Sequence, residues 1–379
     1  MRTVQKLSVV NLKSKIVNLK SHIAYRISHI VNRKSKIVNL KSKITPKVTF
    51  CFLLSAFCFL LYSCGSQEKV HQITGSGLGT YYHVLYTGKE NPDILRVVDS
   101  LIRDFSSQFS IFDTNSLVAQ LNMNHNLPLT PDFITVFETS QKVSEITDGA
   151  FDITVGPLVN LWGFGADREK RASAELVDSI KKKVGYRKVK IENGLLYKEN
   201  DAISLNFNAI SKGYCVDKLA EMMKAKGYPN FMVEVGGEIR TSGRKNGKPW
   251  NIGIQIPTTT ADGALEANYI FFADDKSIAT SGNYRNYKEE NGIRYAHTID
   301  PRSGYPEQSA VLSVTVLSDE CMVADAFATA FMVLGIEESM KIIEKERYLE
   351  ALFIYNENGM LKTQKSAGFP NSQGVSDER

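Results

Sequence analysis

The chain has 379 residues, 43% hydrophobic and 23% charged, a globular balance that excludes a fibre or a disordered protein. Its formal charge of +5 is unevenly spread: the first 67 residues hold no Asp or Glu, whereas 12 of the 46 Lys and Arg lie in the first 48. The remainder carries 34 basic against 41 acidic side chains, about −7, which argues against a nucleic-acid partner.

Residues 10–43 repeat a motif about seven residues long, "VNLKSK", "VNLKSH", "VNRKSK" and "VNLKSK". Ile and Leu at that spacing suit a basic coiled-coil seam or a membrane-surface helix, but the repeat has no compensating acids and precedes an export-like segment. Residues 1–47 are therefore expected to be an extension outside the fold. Lys47 then leads into "VTFCFLLSAFCFLLYSC", an apolar run too short to favour a spanning helix. Residues 48–64 resemble a bacterial lipoprotein signal, with "LYSC" as the lipobox and Cys64 as the lipidated residue; Tyr62 stands where a small residue is commoner. The alternative is an uncleaved anchor. Either way, the following domain is expected to face an exported compartment.

After a linker, 65–72, "HQITGSGLGTYYHVLYTG" alternates as a strand broken by glycines, and "NPDILRVVDSLIRDFSSQFS" has apolar residues at helical spacing. "IFDTNSLVAQLN" turns into a short helix, and "TPDFITVFETSQKVSEITDG" is a third, capped by Thr130 with Pro131 in its first turn. From residue 185 the chain reads as strands, "KVKIEN", "GLLYKEN" and "AISLNFN", before the helix "SKGYCVDKLAEMMKAKG". "FMVEVGGEIRTSG" and "WNIGIQIP" read as paired strands. "IFFADDKSIATSG", "YAHTIDPRSG" and "AVLSVTVLS" then lead to a buried helix containing "ADAFATAFMVLG". Without a linker-like break, residues 73–365 form one compact α+β domain, with a polar tail from 366 to 379.

Beyond the signal only Cys215 and Cys321 remain, enough for one disulfide but not for a disulfide scaffold. With no CxxC and only His71, His83, His125 and His297, a soft-ligand metal centre is not expected. Asp325 is the lone carboxylate of "ADAFATAFMVLG", and a charge in such a setting requires a partner. Thr329 lies four residues on, hence on the same helix face, and the two offer oxygen ligands to a hard cation; backbone amides are the alternative partner. Lys212 falls where a strand gives way to a helix, a phosphate-site geometry, although it lacks P-loop spacing. His297, in a polar loop, is a candidate general base.

Together "GTYYHVLY", "SIFDTNSLVAQLN", "DGAFDITVGPLVNLWGF", "LNFNAISKGYCVD", "VEVGGEIRTSG", "ATSGNYRN", "HTIDPRSG" and "ADAFATAFMVLG" resemble the ApbE family, the FAD:protein FMN transferases, in the family's order over nearly the whole mature chain. The resemblance implies an enzyme that binds FAD, cleaves its pyrophosphate with Mg²⁺, releases AMP and attaches FMN through a phosphoester to a Thr or Ser of a target protein. It implies metal ligation by Asp325, Thr329 and the Ala209 carbonyl, and a flavin site of Leu78, Phe112, Ala150, Phe151, Asp152, Asn206, Lys212 and His297. Leu78 often corresponds to Met and Asn206 to Asp. His297 and Lys212 take the catalytic roles, and the implied acceptors are exported flavoprotein subunits such as Rnf or Nqr components. The expected place is a lipid anchor on the inner membrane, facing the periplasm. An FAD pyrophosphatase using the same site, and a non-catalytic flavin-binding lipoprotein, are the alternatives.

Overall fold

Strands β1 (Val70–Gly77) and β2 (Thr80–Thr87) form a hairpin whose two-residue turn, Leu78–Gly79, has both φ angles positive, 54° and 72°. A tight hairpin turn favours that conformation, which glycine adopts freely and leucine does not. The computed structural model describes residues 68–164, 172–256, 267–283, 287–290, 293–296, 298–307 and 309–373, with Ser21, Tyr25, Arg26 and Ser28 as isolated positions. The apolar run with Cys64 lies outside the described residues, as do His297 and, apart from those four positions, the basic extension.

Helix α1 (Asp93–Phe109) follows, burying Ile94, Val98, Ile102, Phe105 and Phe109 along one stripe. In α2 (Leu117–Asn122) the Ser116 hydroxyl accepts the Ala119 N–H. In α3 (Pro131–Ile146) Thr130 caps the Phe133 N–H with Pro131 in the first turn, as the sequence predicts. Two short helices, α4 (Gly156–Leu161) and α5 (Ala174–Lys181), and the hairpin of β3 (Val189–Glu192) and β4 (Leu195–Lys198) lead to α6 (Ser211–Ala225). Then come β5 (Phe231–Val235), β6 (Glu238–Ser242), β7 (Trp250–Gln255), β8 (Ala267–Ala273), β9 (Ser277–Gly282), β10 (Tyr287–Glu290), β11 (Ile293–Ala296) and β12 (Val311–Ser318). Helix α7 (Cys321–Lys345), interrupted at Gly335, precedes β13 (Glu350–Glu357) and β14 (Met360–Lys365).

Eight strands make one antiparallel sheet in the order β1-β2-β5-β6-β9-β12-β13-β14. Alternation along the strands separates two cores: Phe231, Val233, Val314, Val316, Ala351 and Phe353 face α6 and α7. Ile278, Leu317, Leu352 and Ile354 face the β7–β8 hairpin on the other side. Helix α7 is apolar on nearly every side because it lies between sheet, α6 and α3, yet no helix among the described residues is long and apolar enough to cross a membrane.

Four expectations change. "WNIGIQIP" pairs with β8, whereas "FMVEV" pairs with "EIRTS" across the Gly236–Gly237 turn. "AISLNFN" is not a strand: its backbone is satisfied piecemeal, with Asn122 bonding both the N–H and the C=O of Leu205, and the Ile153 carbonyl accepting the Asn206 N–H. The domain limits widen, since β1 starts at Val70 within the stretch read as linker, and Phe369 is buried in the second core rather than free in a tail. Cys215 and Cys321 are both buried and both free thiols.

Candidate active site

Helices α6 and α7 meet at their N-termini, so closely that a Cβ on Gly213 would lie 2.4 Å from the Cys321 carbonyl oxygen. Glycine is required there for contact rather than for conformation. The approach lets Asp325, on the second turn of α7, accept the Gly213 N–H through Oδ2 at 3.0 Å. Gly213 is the third residue of α6, so its N–H is one of the first-turn amides without an intrahelical acceptor, and the Ala209 carbonyl lies outside the helical ladder.

One position earlier, Lys212 places its Nζ 2.7 Å from Glu238 Oε1 and 3.7 Å from Asp325 Oδ1. Burial works against the lysine's charge, but Asp325 and Glu238 together outweigh it and raise its pKa. Burial also pushes the Glu238 carboxyl up, against the pull of the Lys212 ammonium. Thr329, one turn beyond Asp325, has its hydroxyl 3.1 Å from that of Ser281 near the end of β9. Sheet, helix start and buried helix thus converge on Lys212, Glu238, Asp325 and Thr329, with the Ala209 carbonyl beside them in sequence.

Of the other predicted flavin residues, His297 lies outside the described residues and the rest are held as follows. Leu78 sits at the β1–β2 turn, half-buried against the core, and the neighbouring Tyr81 carbonyl accepts the N–H of Gly236, two residues before Glu238. Ala150 and Phe151 are buried, and the carbonyl of Ile153, in the turn that follows, accepts the Asn206 N–H. Asn206 forms a local turn, its Oδ1 accepting the Asn208 N–H. Asp152 is engaged within the fold: Oδ1 accepts from the Thr154 N–H and hydroxyl, Oδ2 from the Tyr186 N–H. Burial raises its pKa, those hydrogen bonds opposing. Phe112 is 70% exposed between α1 and α2.

Sequence reading missed Glu238, Asp217 and Arg240. Glu238 and Arg240 alternate on β6, so both face α6 while Ile239 packs in the second core. Arg240 Nη1 donates to Asp217 Oδ1 at 2.5 Å, repeating across the same strand and helix the pairing of Glu238 with Lys212 in reversed polarity. The available signal was a charge at alternate positions directly after a Gly-Gly turn.

Among the described residues, no three His, Cys, Asp or Glu side chains gather as a metal cluster. A cation here would rest on one carboxylate with hydroxyl, carbonyl and ligand oxygens, the donor set a hard divalent ion accepts. A helix N-terminus with a half-buried lysine beside such donors has the chemistry to receive a phosphorylated ligand.

This chain belongs to the ApbE family, whose profile matches residues 78–353. It is 35% identical to an FAD:protein FMN transferase of Haemophilus influenzae, over 81% of this chain and 93% of that one. It is 33% identical to the enzyme of the same name from Vibrio cholerae, over 80% and 92%. The solved structure of the V. cholerae flavin transferase ApbE superposes with a TM-score of 0.72 at 32% identity, over 80% of this chain and 98% of that one. The apo flavinyl transferase ApbE of Pseudomonas stutzeri gives the same score at 33% identity.

Proposed function

We propose that this chain is an FAD:protein FMN transferase dependent on Mg²⁺, attaching FMN to a Thr or Ser hydroxyl of an exported flavoprotein subunit. Family membership supports the reaction class, and one observation carries the site assignment: Asp325 is fixed through Oδ2 by the Gly213 amide, which leaves Oδ1 facing the Lys212 ammonium. Asp325, Thr329 and the Ala209 carbonyl would hold the cation, and their all-oxygen character fits a hard ion. A divalent ion held there neutralises charge developing on the pyrophosphate oxygens.

Lys212 binds the pyrophosphate electrostatically and orients it, with the positive dipole end of α6 behind it. The acceptor hydroxyl attacks the FMN phosphorus: one P–O bond forms to the protein, the bridging P–O bond breaks, and AMP leaves. His297 is assigned the hydroxyl proton. Lipidation at Cys64 would tether the enzyme to the inner membrane facing the periplasm, within reach of acceptors such as Rnf or Nqr components.

The test is incubation of the full chain with FAD, Mg²⁺ and a candidate acceptor subunit, read by intact mass. Gain of one FMN on the acceptor with release of AMP is expected. FMN and AMP without acceptor modification would make the chain an FAD pyrophosphatase, and absence of turnover with retained FAD would make it a flavin-binding protein.

A further inference from the structure

Glu238 lies 3% exposed at the start of β6, with Oε1 bonded to Lys212 and Oε2 buried without a hydrogen-bond partner among the described residues. A carboxylate so placed is costly, since burial of an acceptor oxygen without a donor lacks compensation. The geometry shows what it achieves. The ammonium of Lys212 stands between two acids, at 2.7 Å from Glu238 and 3.7 Å from Asp325, so the hydrogen-bonded ion pair goes to Glu238 and Asp325 Oδ1 is left outside hydrogen-bond distance of it. Asp325 Oδ2 is already engaged by Gly213, making Oδ1 the oxygen left to ligate a cation.

We infer that Glu238 is a positioning residue that neutralises Lys212 and draws it aside, keeping Asp325 free to bind the divalent cation. This rests on the cation site proposed above. Without the Glu238 charge, Lys212 and Asp325 would pair directly, and an entering cation would have to displace an ammonium. Lys212 is then present for the phosphates without poisoning the metal ligand beside it.

The experiment measures cation binding with Mn²⁺, by loss of the free-ion electron paramagnetic resonance signal, in the full chain without FAD. Glu238→Gln keeps the side-chain shape and its acceptor but removes the charge, and Mn²⁺ binding is expected to weaken by about tenfold or more, the scale at which groups supporting metal ligands act. The double substitution Lys212→Met with Glu238→Gln removes the competing ammonium as well, leaves a neutral pair at the site, and is expected to restore Mn²⁺ affinity to within about threefold of the parent, since Asp325 is again uncontested. A purely structural role for Glu238 would leave the double variant as weak as the single one. Equal Mn²⁺ affinity in parent and Glu238→Gln, or failure of the double variant to recover, overturns the role given to Glu238. A parent chain that binds no Mn²⁺ would instead overturn the cation site itself.

Discussion

Asp217 on α6 accepts the N–H groups of Cys321 and Met322 at 2.9 Å each, while Asp325 on α7 accepts that of Gly213 at 3.0 Å, so each aspartate caps the other's helix. Neither helix has a side-chain cap from the residue preceding it. The orphan amides of both first turns are satisfied reciprocally, with each positive dipole end facing a carboxylate. Lys212 and Asp325 are brought together by this arrangement, making the site a consequence of how two helices are joined.

Asp325→Asn separates the cap from the chemistry. The amide oxygen of Asn can still accept the Gly213 N–H, so the melting temperature should move little. FMN transfer should fall by at least about a hundredfold, the scale of losing one electrostatic contact to a developing charge. Thermal melting and AMP release, measured side by side, check both halves.

Asp217→Ala removes two capping bonds and leaves Arg240 without its carboxylate. Unfolding in urea should show a loss of about 3 kcal/mol, between the cost of a lost cap and that of a broken buried ion pair. Activity at temperatures where the variant stays folded should drop as well, because the start of α7 is no longer anchored to α6.

Burial pushes the Asp217 carboxyl up to about 6, opposed by its bonds to Cys321, Met322 and Arg240. A carboxyl whose folded pKa exceeds its unfolded value holds its proton more tightly in the native state. Its contribution to stability is greatest at low pH and declines as pH rises through the interval from about 4 to about 6. Urea unfolding across that interval should show a steeper fall with rising pH in the parent than in Asp217→Asn, which has no proton to lose.

Gly213→Ala tests the contact between the helices. The added methyl meets the Cys321 backbone, which belongs to a buried helix and has little room to retreat. A loss of about 1–3 kcal/mol is expected, typical of overpacking, accompanied by weaker FAD binding as the Asp325 cap lengthens. Ala substitution at Gly237, where nothing lies within 4 Å but φ is +105°, should cost stability through backbone strain alone and leave Asp325 in place.

The longer helices were legible because each carries its own signal: the apolar stripe of α1 and the Thr130–Pro131 start of α3 are local, whereas the short helices α4 and α5 were not read from the sequence. Asp325 was legible as an anomaly, a charge among small apolar residues. Its backbone partner was not, since Gly213 lies 112 residues away in sequence. "AISLNFN" alternates like a strand, yet Asn122 from a distant helix takes the hydrogen bonds a neighbouring strand would have made. Glu238 and Arg240 read as ordinary strand charges; only the packing of α6 on β6 turns them inward to Lys212 and Asp217.

The most direct measurement is a crystal structure of the chain with FAD and Mn²⁺, the ion located by anomalous scattering. The expected result is a peak about 2.2 Å from Asp325 Oδ1 and from Thr329 Oγ1, touching the pyrophosphate, with Lys212 on the other side of the same phosphates. A pyrophosphate bound away from those oxygens, or a peak that leaves Asp325 in contact with Gly213 alone, would contradict it.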